Sequence, residues 1–185
     1  MDLSKEDTKK YLKLMGEQSA RMEHIVEDLL NLSTIESAPP PNNGIIDMPA
    51  LIEKITNDAK ALSNGKHSLF FEVDESLNLL GAPTEILSAC MNLVSNAVRY
   101  TQQNGTIKIT WKRSEKEGAQ FSVSDQGIGI EAKHISRLTE RFYRVDRSRS
   151  RETGGTGLGL SIVKHIVQRH QATLRIESAP RVGSS

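Results

Sequence analysis

A glycine-rich segment near the C-terminal end has the composition of a phosphate-binding loop. Residues 151–161 are Arg-Glu-Thr-Gly-Gly-Thr-Gly-Leu-Gly-Leu-Ser, and they lead into a predicted helix. Backbone N–H groups at a helix start bind anions, and glycines let the main chain approach a ligand closely. An ordinary surface loop is the alternative. The residues expected to contact the ligand are Gly155, Thr156, Gly157, Leu158 and Gly159, with the Thr156 hydroxyl donating to a phosphate oxygen.

A second glycine segment, Asp125-Gln-Gly-Ile-Gly129, follows a predicted strand. A carboxylate at a strand end can accept a hydrogen bond from the exocyclic amine of adenine, whereas guanine presents a carbonyl there and would be repelled. Gly127 and Gly129 would leave room for the base and sugar. Because such turns also occur in hairpins and calcium loops, the assignment to adenine depends on the neighbouring motifs.

Two asparagines lie one turn apart on a predicted helix at residues 84–100. Their spacing puts the amides of Asn92 and Asn96 on the same helix face. The helix is otherwise apolar here, and burying unpaired amides costs a few kcal/mol. Amide oxygens suit a Mg²⁺ ion that already carries phosphate oxygens. A solvated polar stripe is the alternative interpretation.

The segment Arg141–Arg151 holds five arginines and one acid. Guanidinium groups are suited to phosphate oxygens, and Arg144 and Arg151 are our candidates for the γ-phosphate. Three apolar residues among them, Phe142, Tyr143 and Val145, are expected to anchor a lid over the nucleotide. A solvated basic loop and a nucleic-acid contact are the alternatives.

The overall composition is that of an ordinary globular protein. The 185 residues carry a net charge of +1, which gives no case for nucleic-acid binding. A single cysteine, Cys90, excludes an internal disulfide and is expected to be a core thiol. No apolar run approaches the roughly 18 residues that span a bilayer, so we expect a cytoplasmic chain.

A long helix at residues 5–35 precedes the motifs. Its apolar residues follow a heptad, which predicts a seam for a partner helix. The seam positions are Tyr11, Gln18, Ile25 and Leu32, and Met15, Met22 and Leu29. A proline-rich spacer follows, so we expect a dimerisation element, a hinge and then a globular domain.

The globular part alternates predicted helices and strands. Strands are predicted near 45–48, 68–73, 77–80, 106–112, 120–124 and 173–177, with helices at about 51–62, 84–100 and 158–171. Helices covering one face of a mixed or antiparallel sheet indicate an α+β fold, a two-layer α/β sandwich.

The four motifs occur in the order of the N, G1, F and G2 boxes, and the series resembles the sensor histidine kinases of the Bergerat-type ATPase superfamily. The resemblance implies ATP and Mg²⁺ as ligands, with Asn96 on the magnesium, Arg99 on the phosphates and Tyr100 against the adenine. ATP-hydrolysing relatives carry a glutamate at the position of Asn92. The asparagine therefore favours a kinase over an ATP-driven clamp, and the expected catalytic residues are Asn92, Arg99, Arg144 and Arg151.

The resemblance also implies an organisation and partners. Residues 1–37 would be the second arm of a dimerisation hairpin, 38–46 a linker and 47–185 the ATP-binding domain without its last strand. Segments at 138–151 and 21–33 resemble the phosphate-regulon branch, which implies that branch's response regulator as partner, self-association through helix 5–35 and a membrane-bound parent. The family's phosphoacceptor motif does not occur, since His24 lacks its context. A catalytically idle ATP-binding interaction module is the alternative.

Overall fold

The computed structural model describes residues 4–41, 44–114, 118–145 and 155–185. Its elements are α1 (Lys5–Ser37), β1 (Gly44–Ile46), α2 (Met48–Ser63), β2 (Ser68–Val73), β3 (Leu79–Gly81), α3 (Pro83–Tyr100), β4 (Thr106–Ser114), β5 (Gly118–Asp125), α4 (Ala132–Ile135), α5 (Gly159–Arg169), β6 (Ser178–Ala179) and β7 (Gly183–Ser184). Within these ranges, no helix combines the length and apolarity that a membrane span requires.

Five of the strands form one mixed sheet in the order β2-β4-β5-β7-β6. β2 and β4 are parallel, and the other neighbours are antiparallel. The predicted alternation in β4 is confirmed, because Ile107, Ile109 and Trp111 are all buried. The indole N–H of Trp111 donates to the carbonyl of Leu77 at 2.8 Å, which satisfies the polar atom of the largest core side chain.

Helices α2 and α3 pack on the sheet and form the main core. Both helix starts are encoded locally: Asp47 accepts from the backbone N–H of Ala50 at 3.1 Å, and Pro83 occupies the first turn of α3. The buried helix residues facing the sheet are Met48, Ile52, Ile55 and Ala59 of α2, and Cys90, Val94 and Ala97 of α3. The expected α+β two-layer sandwich is therefore confirmed.

A second apolar cluster joins α1, α3 and α5. Leu32 and Ile35 of α1 are buried against Leu158, Ile162 and Ile166. Leu32 is the last position of the predicted dimerisation seam, so the expectation that this position faces a partner helix is wrong. Its side chain packs on α5 of the same chain instead. Four other positions of the seam are exposed, namely Tyr11, Met15, Met22 and Leu29.

The C-terminal residues fold differently from the prediction. The strand expected at 173–177 is not formed, and those residues are irregular. Residues 178–184 instead make a short hairpin, in which Glu177 and Ser185 exchange two backbone hydrogen bonds of 2.8 Å. Its second strand, β7, pairs with β5 through Ser184 and Asp125. The residues that pair with β5 therefore lie after the predicted strand.

Candidate nucleotide-binding site

The predicted motifs meet around one cavity of about 1380 Å³. Most of the predicted site residues line it: Asn92, Asn96, Arg99, Tyr100, Asp125, Gly129, Tyr143, Arg144, Gly155, Thr156, Gly157 and Gly159. Two others, Gly127 and Leu158, are buried beside it. Leu158 is buried in the α1–α3–α5 cluster, so its side chain is not available to a ligand. Only its backbone could contact a nucleotide. Arg151 lies outside the described residues.

Asp125 stands at the end of β5, half-buried between neighbouring strands. It pairs with Ile107 of β4 on one side and Ser184 of β7 on the other. The backbone N–H of Gly127 donates to Asp125 Oδ1 at 2.7 Å. Burial raises the pKa of this carboxyl above its ordinary value of 3.8, while the N–H groups of Gly127 and Ser184 act in the opposite direction. The fold therefore holds a partly desolvated carboxylate at the cavity wall.

The two glycines after Asp125 are required by close backbone contacts. A Cβ at Gly127 would lie 2.6 Å from both Asp125 Oδ1 and the carbonyl oxygen of Tyr100. Gly129 has φ +66°, and a Cβ there would lie 1.9 Å from the carbonyl oxygen of Ala179. The C-terminal hairpin thus packs directly on this turn, which fixes the position of Asp125.

The two asparagines of α3 face the same cavity, in different settings. Asn92 Nδ2 donates to the carbonyl of Ser88 at 2.9 Å, and a Cβ at Gly159 would lie 2.5 Å from Asn92 Oδ1. Asn92 is therefore packed against the start of α5. Asn96 is half-buried and lines the cavity one turn later.

Two arginines converge on Gly155. A Cβ at this glycine would lie 3.0 Å from Arg99 Nη1 and 3.6 Å from Arg144 Cζ, and Arg144 Nη1 donates to the carbonyl of Gly155. One guanidinium comes from the end of α3 and the other from the segment after α4. Their convergence places positive charge beside the glycine segment that leads into α5.

The start of α5 adds a further anion-binding feature. Within the described part of the chain, no side chain caps its first turn. The residue before the helix, Leu158, donates its N–H to Thr156 Oγ1 at 3.2 Å. The uncapped N–H groups and the positive end of the helix dipole are the groups that bind phosphate in other helices.

Tyr143 is held from two sides. Its hydroxyl forms a 2.6 Å hydrogen bond with His134 Nδ1, and the guanidinium of Arg137 lies 4.2 Å from the ring centroid. These contacts combine a hydrogen bond with a cation–π interaction. Tyr143 is therefore fixed against α4 and the residues that follow it.

The other two residues predicted to anchor the lid have exposed side chains. The side chains of Phe142 and Val145 are 55% and 45% exposed. Phe142 has φ +61°, and its backbone N–H donates to the carbonyl of Gly157 at 2.9 Å. This segment therefore contacts the glycine loop through its main chain rather than through the aromatic ring.

The arrangement fits Mg-ATP on several observations. Two cations face the glycine loop, and a carboxylate suited to the adenine amine lies on the cavity wall. Among the described residues, buried Thr101 Oγ1 has no hydrogen-bond partner, and this residue lines the cavity. The amide of Asn96 is a ligand type that magnesium accepts beside phosphate oxygens.

Sequence analysis did not find the contacts that α1 makes with this region. Asp28 accepts a hydrogen bond from Thr156 at 2.6 Å, and Glu36 contacts Arg141 and lies 3.1 Å from His165 Nε2. The acids flank buried Leu32 at spacings of four, so all three share one helix face. The spacing of Asp28, Leu32 and Glu36 can be read from the sequence. The heptad pattern, however, led us to assign Leu32 to a contact with a partner helix.

Comparison with known proteins agrees with the geometry. Residues 81–185 match the family described as histidine kinase-, DNA gyrase B-, and HSP90-like ATPase. The chain is 48% identical over 176 residues to the phosphate regulon sensor protein PhoR of Pseudomonas aeruginosa, covering 94% of this chain and 40% of that protein. It is 40% identical over 177 residues to PhoR of Haemophilus influenzae, covering 96% and 41%. The chain thus spans about two fifths of the length of these relatives.

A solved structure supports the same fold. The histidine kinase AdeS of Acinetobacter baumannii superposes with a TM-score of 0.72 at 22% identity, covering 100% of this chain and 83% of that chain. The family match extends from β3 to the end of the chain and includes most of the cavity lining. On this match, and on the site geometry that accompanies it, the chain belongs to the histidine kinase-, DNA gyrase B- and HSP90-like ATPase family and resembles the sensor histidine kinases of the phosphate regulon.

Proposed function

We propose that this chain is the ATP-binding catalytic part of a sensor histidine kinase. It binds Mg-ATP and transfers the γ-phosphoryl group to a histidine on a dimerisation hairpin. The observation that carries the proposal is the convergence of Arg99 and Arg144 on Gly155, beside the uncapped start of α5. The carboxylate of Asp125 lines the same cavity and supplies an acceptor for the adenine amine.

Each group has a role that its position supports. Asp125 accepts from the adenine amine, and Tyr100, which is 38% exposed at the cavity, packs against the base. Arg99 and Arg144 neutralise the phosphates, Thr156 donates its hydroxyl, and Asn96 is the ligand for magnesium. The metal, when bound, supplies charge stabilisation to the phosphate oxygens. In the transfer, a neutral histidine of the hairpin forms a bond from its ring nitrogen to the γ-phosphorus as the bond to the bridging oxygen breaks; ADP leaves, and the ring N–H proton is released to solvent.

Asn92 supports phosphoryl transfer rather than rapid hydrolysis. Its amide cannot take a proton from water as a carboxylate would, and its two ends already contact Ser88 and the start of α5. Activation of water by a general base is therefore not available from this residue. The lid residue Arg151 remains a proposed contact for the γ-phosphate.

We further propose the organisation that the resemblance implies. Residues 1–37 are the second arm of the hairpin, 38–46 the linker and 47–185 the catalytic domain. The acceptor histidine lies outside this chain, so the chain alone does not autophosphorylate. The partners are a response regulator, proposed to be that of the phosphate regulon, and a second protomer bound through helix 5–35. The chain then works as the cytoplasmic part of an inner-membrane kinase, without nucleic-acid binding.

The test is transfer of radiolabelled phosphate from ATP to an added hairpin that carries the acceptor histidine. We expect acid-labile label on the hairpin and none on this chain. Arg99→Ala is expected to abolish transfer, whereas Arg113→Ala, an exposed arginine on β4, is the matched control. Label on this chain that disappears in His24→Gln would refute the assignment of the acceptor to another chain.

The alternative function is an idle ATP-binding interaction module. The exposed apolar residues of α1, which include Met15 at 65% and Met22 at 61% exposure, favour an interaction role for this helix. Nucleotide binding without any transfer to several supplied hairpins would support this alternative over the kinase.

A further inference from the structure

Helix α1 reaches the nucleotide cavity through one carboxylate. Asp28 Oδ2 accepts a hydrogen bond of 2.6 Å from the hydroxyl of Thr156, 128 positions further along the chain. Asp28 is half-buried and lines the cavity together with His24, which is one turn earlier on the same helix. A negatively charged side chain from outside the matched ATPase region therefore lies at the phosphate side of the site.

The hydroxyl of Thr156 can donate one hydrogen bond, and Asp28 accepts it. The oxygen itself accepts from the N–H of Leu158 at 3.2 Å, so its single donor and one of its two lone pairs are in use. A phosphate oxygen is also an acceptor and would need the same O–H donor. Asp28 and a nucleotide phosphate cannot both accept this hydrogen bond, and the two anions would also repel each other at short range.

We propose that Asp28 is an autoinhibitory residue that competes with the nucleotide phosphate for the hydroxyl of Thr156. Binding of ATP breaks the contact between Asp28 and Thr156 and releases this part of α1 from the catalytic domain. The coupling is reciprocal. If nucleotide binding favours separation of Asp28 from Thr156 by some factor, then separating the two residues tightens nucleotide binding by that same factor. The inference rests on the proposed function, since it requires a phosphate at Thr156.

The other contacts of α1 confine the release to the part of the helix from its N-terminus to Asp28. Leu32 and Ile35 remain packed on α5, and Arg169 donates to the carbonyls of Ala38 at 2.9 Å and Pro39 at 2.8 Å. These contacts lie toward the C-terminal end of the helix. Most residues of α1 before Asp28 are exposed, so little apolar packing opposes their movement.

The test compares Asp28→Ala with wild type in titrations with Mg-ATP and with adenosine. We expect Asp28→Ala to bind Mg-ATP about fivefold or more tightly than wild type. Adenosine, which carries no phosphate, is expected to bind both proteins equally. Glu23→Ala is the matched control, because Glu23 is an exposed acid of the same helix.

A second variant separates competition from simple charge repulsion. In a Thr156→Val background there is no hydroxyl to compete for, so Asp28→Ala is expected to gain only the part of the affinity that charge repulsion accounts for, which is less than its gain in the wild-type background. An equal gain in that background would overturn the proposal, and so would an equal gain for adenosine or for Glu23→Ala. If folded wild-type protein binds no Mg-ATP, the proposed function fails first. If it binds and Asp28→Ala changes nothing, only the present inference fails.

Discussion

Asn92 of α3 and Gly159 of α5 are in such close contact that a Cβ at 159 would lie 2.5 Å from Asn92 Oδ1. The atom that would be displaced is the end of a side chain rather than backbone. The Asn92 amide can therefore keep this orientation only because the first residue of α5 has no side chain. The contact joins the first and last motifs of the site directly.

Gly159→Ala is expected to weaken Mg-ATP binding about tenfold without unfolding the protein. The added methyl group would push the amide of Asn92 away, while alanine is compatible with the first turn of a helix. Titration calorimetry measures the first effect and thermal unfolding the second.

A double-mutant cycle provides the control for this contact. In an Asn92→Ala background the methyl group meets no amide, so Gly159→Ala is expected to cause no further loss of affinity. Additive losses would show that the methyl group acts on some other part of the site.

Gly129→Ala is expected to destabilise the fold by more than about 3 kcal/mol. The residue has φ +66°, and its added Cβ would lie 1.9 Å from the carbonyl oxygen of Ala179, a backbone atom that cannot turn away. Urea unfolding followed by circular dichroism measures the change in free energy.

Gly65→Ala is the matched control for that substitution. Gly65 has φ +72° but open space around it, so only backbone strain of about 1–2 kcal/mol is expected. Equal losses in the two variants would mean that the C-terminal hairpin does not pack on the Asp125 turn as described.

The sequence predicted the local elements of the site well, because the signals were local. Pro83 and the apolar spacing of α3 set the helix that carries Asn92 and Asn96, and the alternation of β4 was confirmed by its buried residues. The glycine motifs were recognised by their order and their resemblance to a known family, and at Gly127 and Gly129 the structure adds close contacts that exclude a side chain.

The errors concern contacts between distant parts of the chain. A heptad shows that a helix face is apolar, but it does not identify what covers that face. The burial of Leu32 on α5 and the contact of Asp28 with Thr156 follow from how α1 lies on the domain. The strand predicted at 173–177 is also not formed, and the hairpin that follows it pairs with β5 through β7.

Leu32→Ala is expected to cost about 2–5 kcal/mol of stability. Leu32 is 1% exposed and packs among the apolar residues of α5, so its truncation would leave a cavity there. Thermal unfolding of the two proteins measures the loss.

Leu30→Ala makes the same substitution two residues earlier on the same helix. Leu30 is 62% exposed, so a change within about 0.5 kcal/mol is expected. If the two variants were equally stable, Leu32 would not be packed within its own chain, and the partner-helix interpretation of that position would be favoured again.

The pH dependence of nucleotide binding is expected to report Asp125. Burial raises the pKa of this carboxyl above 3.8, so it gains its proton at a higher pH than an ordinary aspartate. The proposed hydrogen bond from the adenine amine requires an acceptor and favours the ionised form. Binding is therefore expected to tighten as the pH rises through the raised pKa and to release protons in that range, which calorimetry in buffers of different ionisation heats would detect.

Asp125→Asn is the control, because it retains the shape but cannot titrate. It is expected to bind adenine nucleotides weakly and without this part of the pH dependence. The same raised pKa affects folding: the stability contribution of protonated Asp125 is full below the unfolded value of 3.8 and is lost as the pH rises through the folded value. In Asp125→Asn that loss is expected to disappear from the profile of unfolding free energy against pH. A wild-type profile of binding that coincides in shape with that of Asp125→Asn would show that the carboxylate does not contact the base.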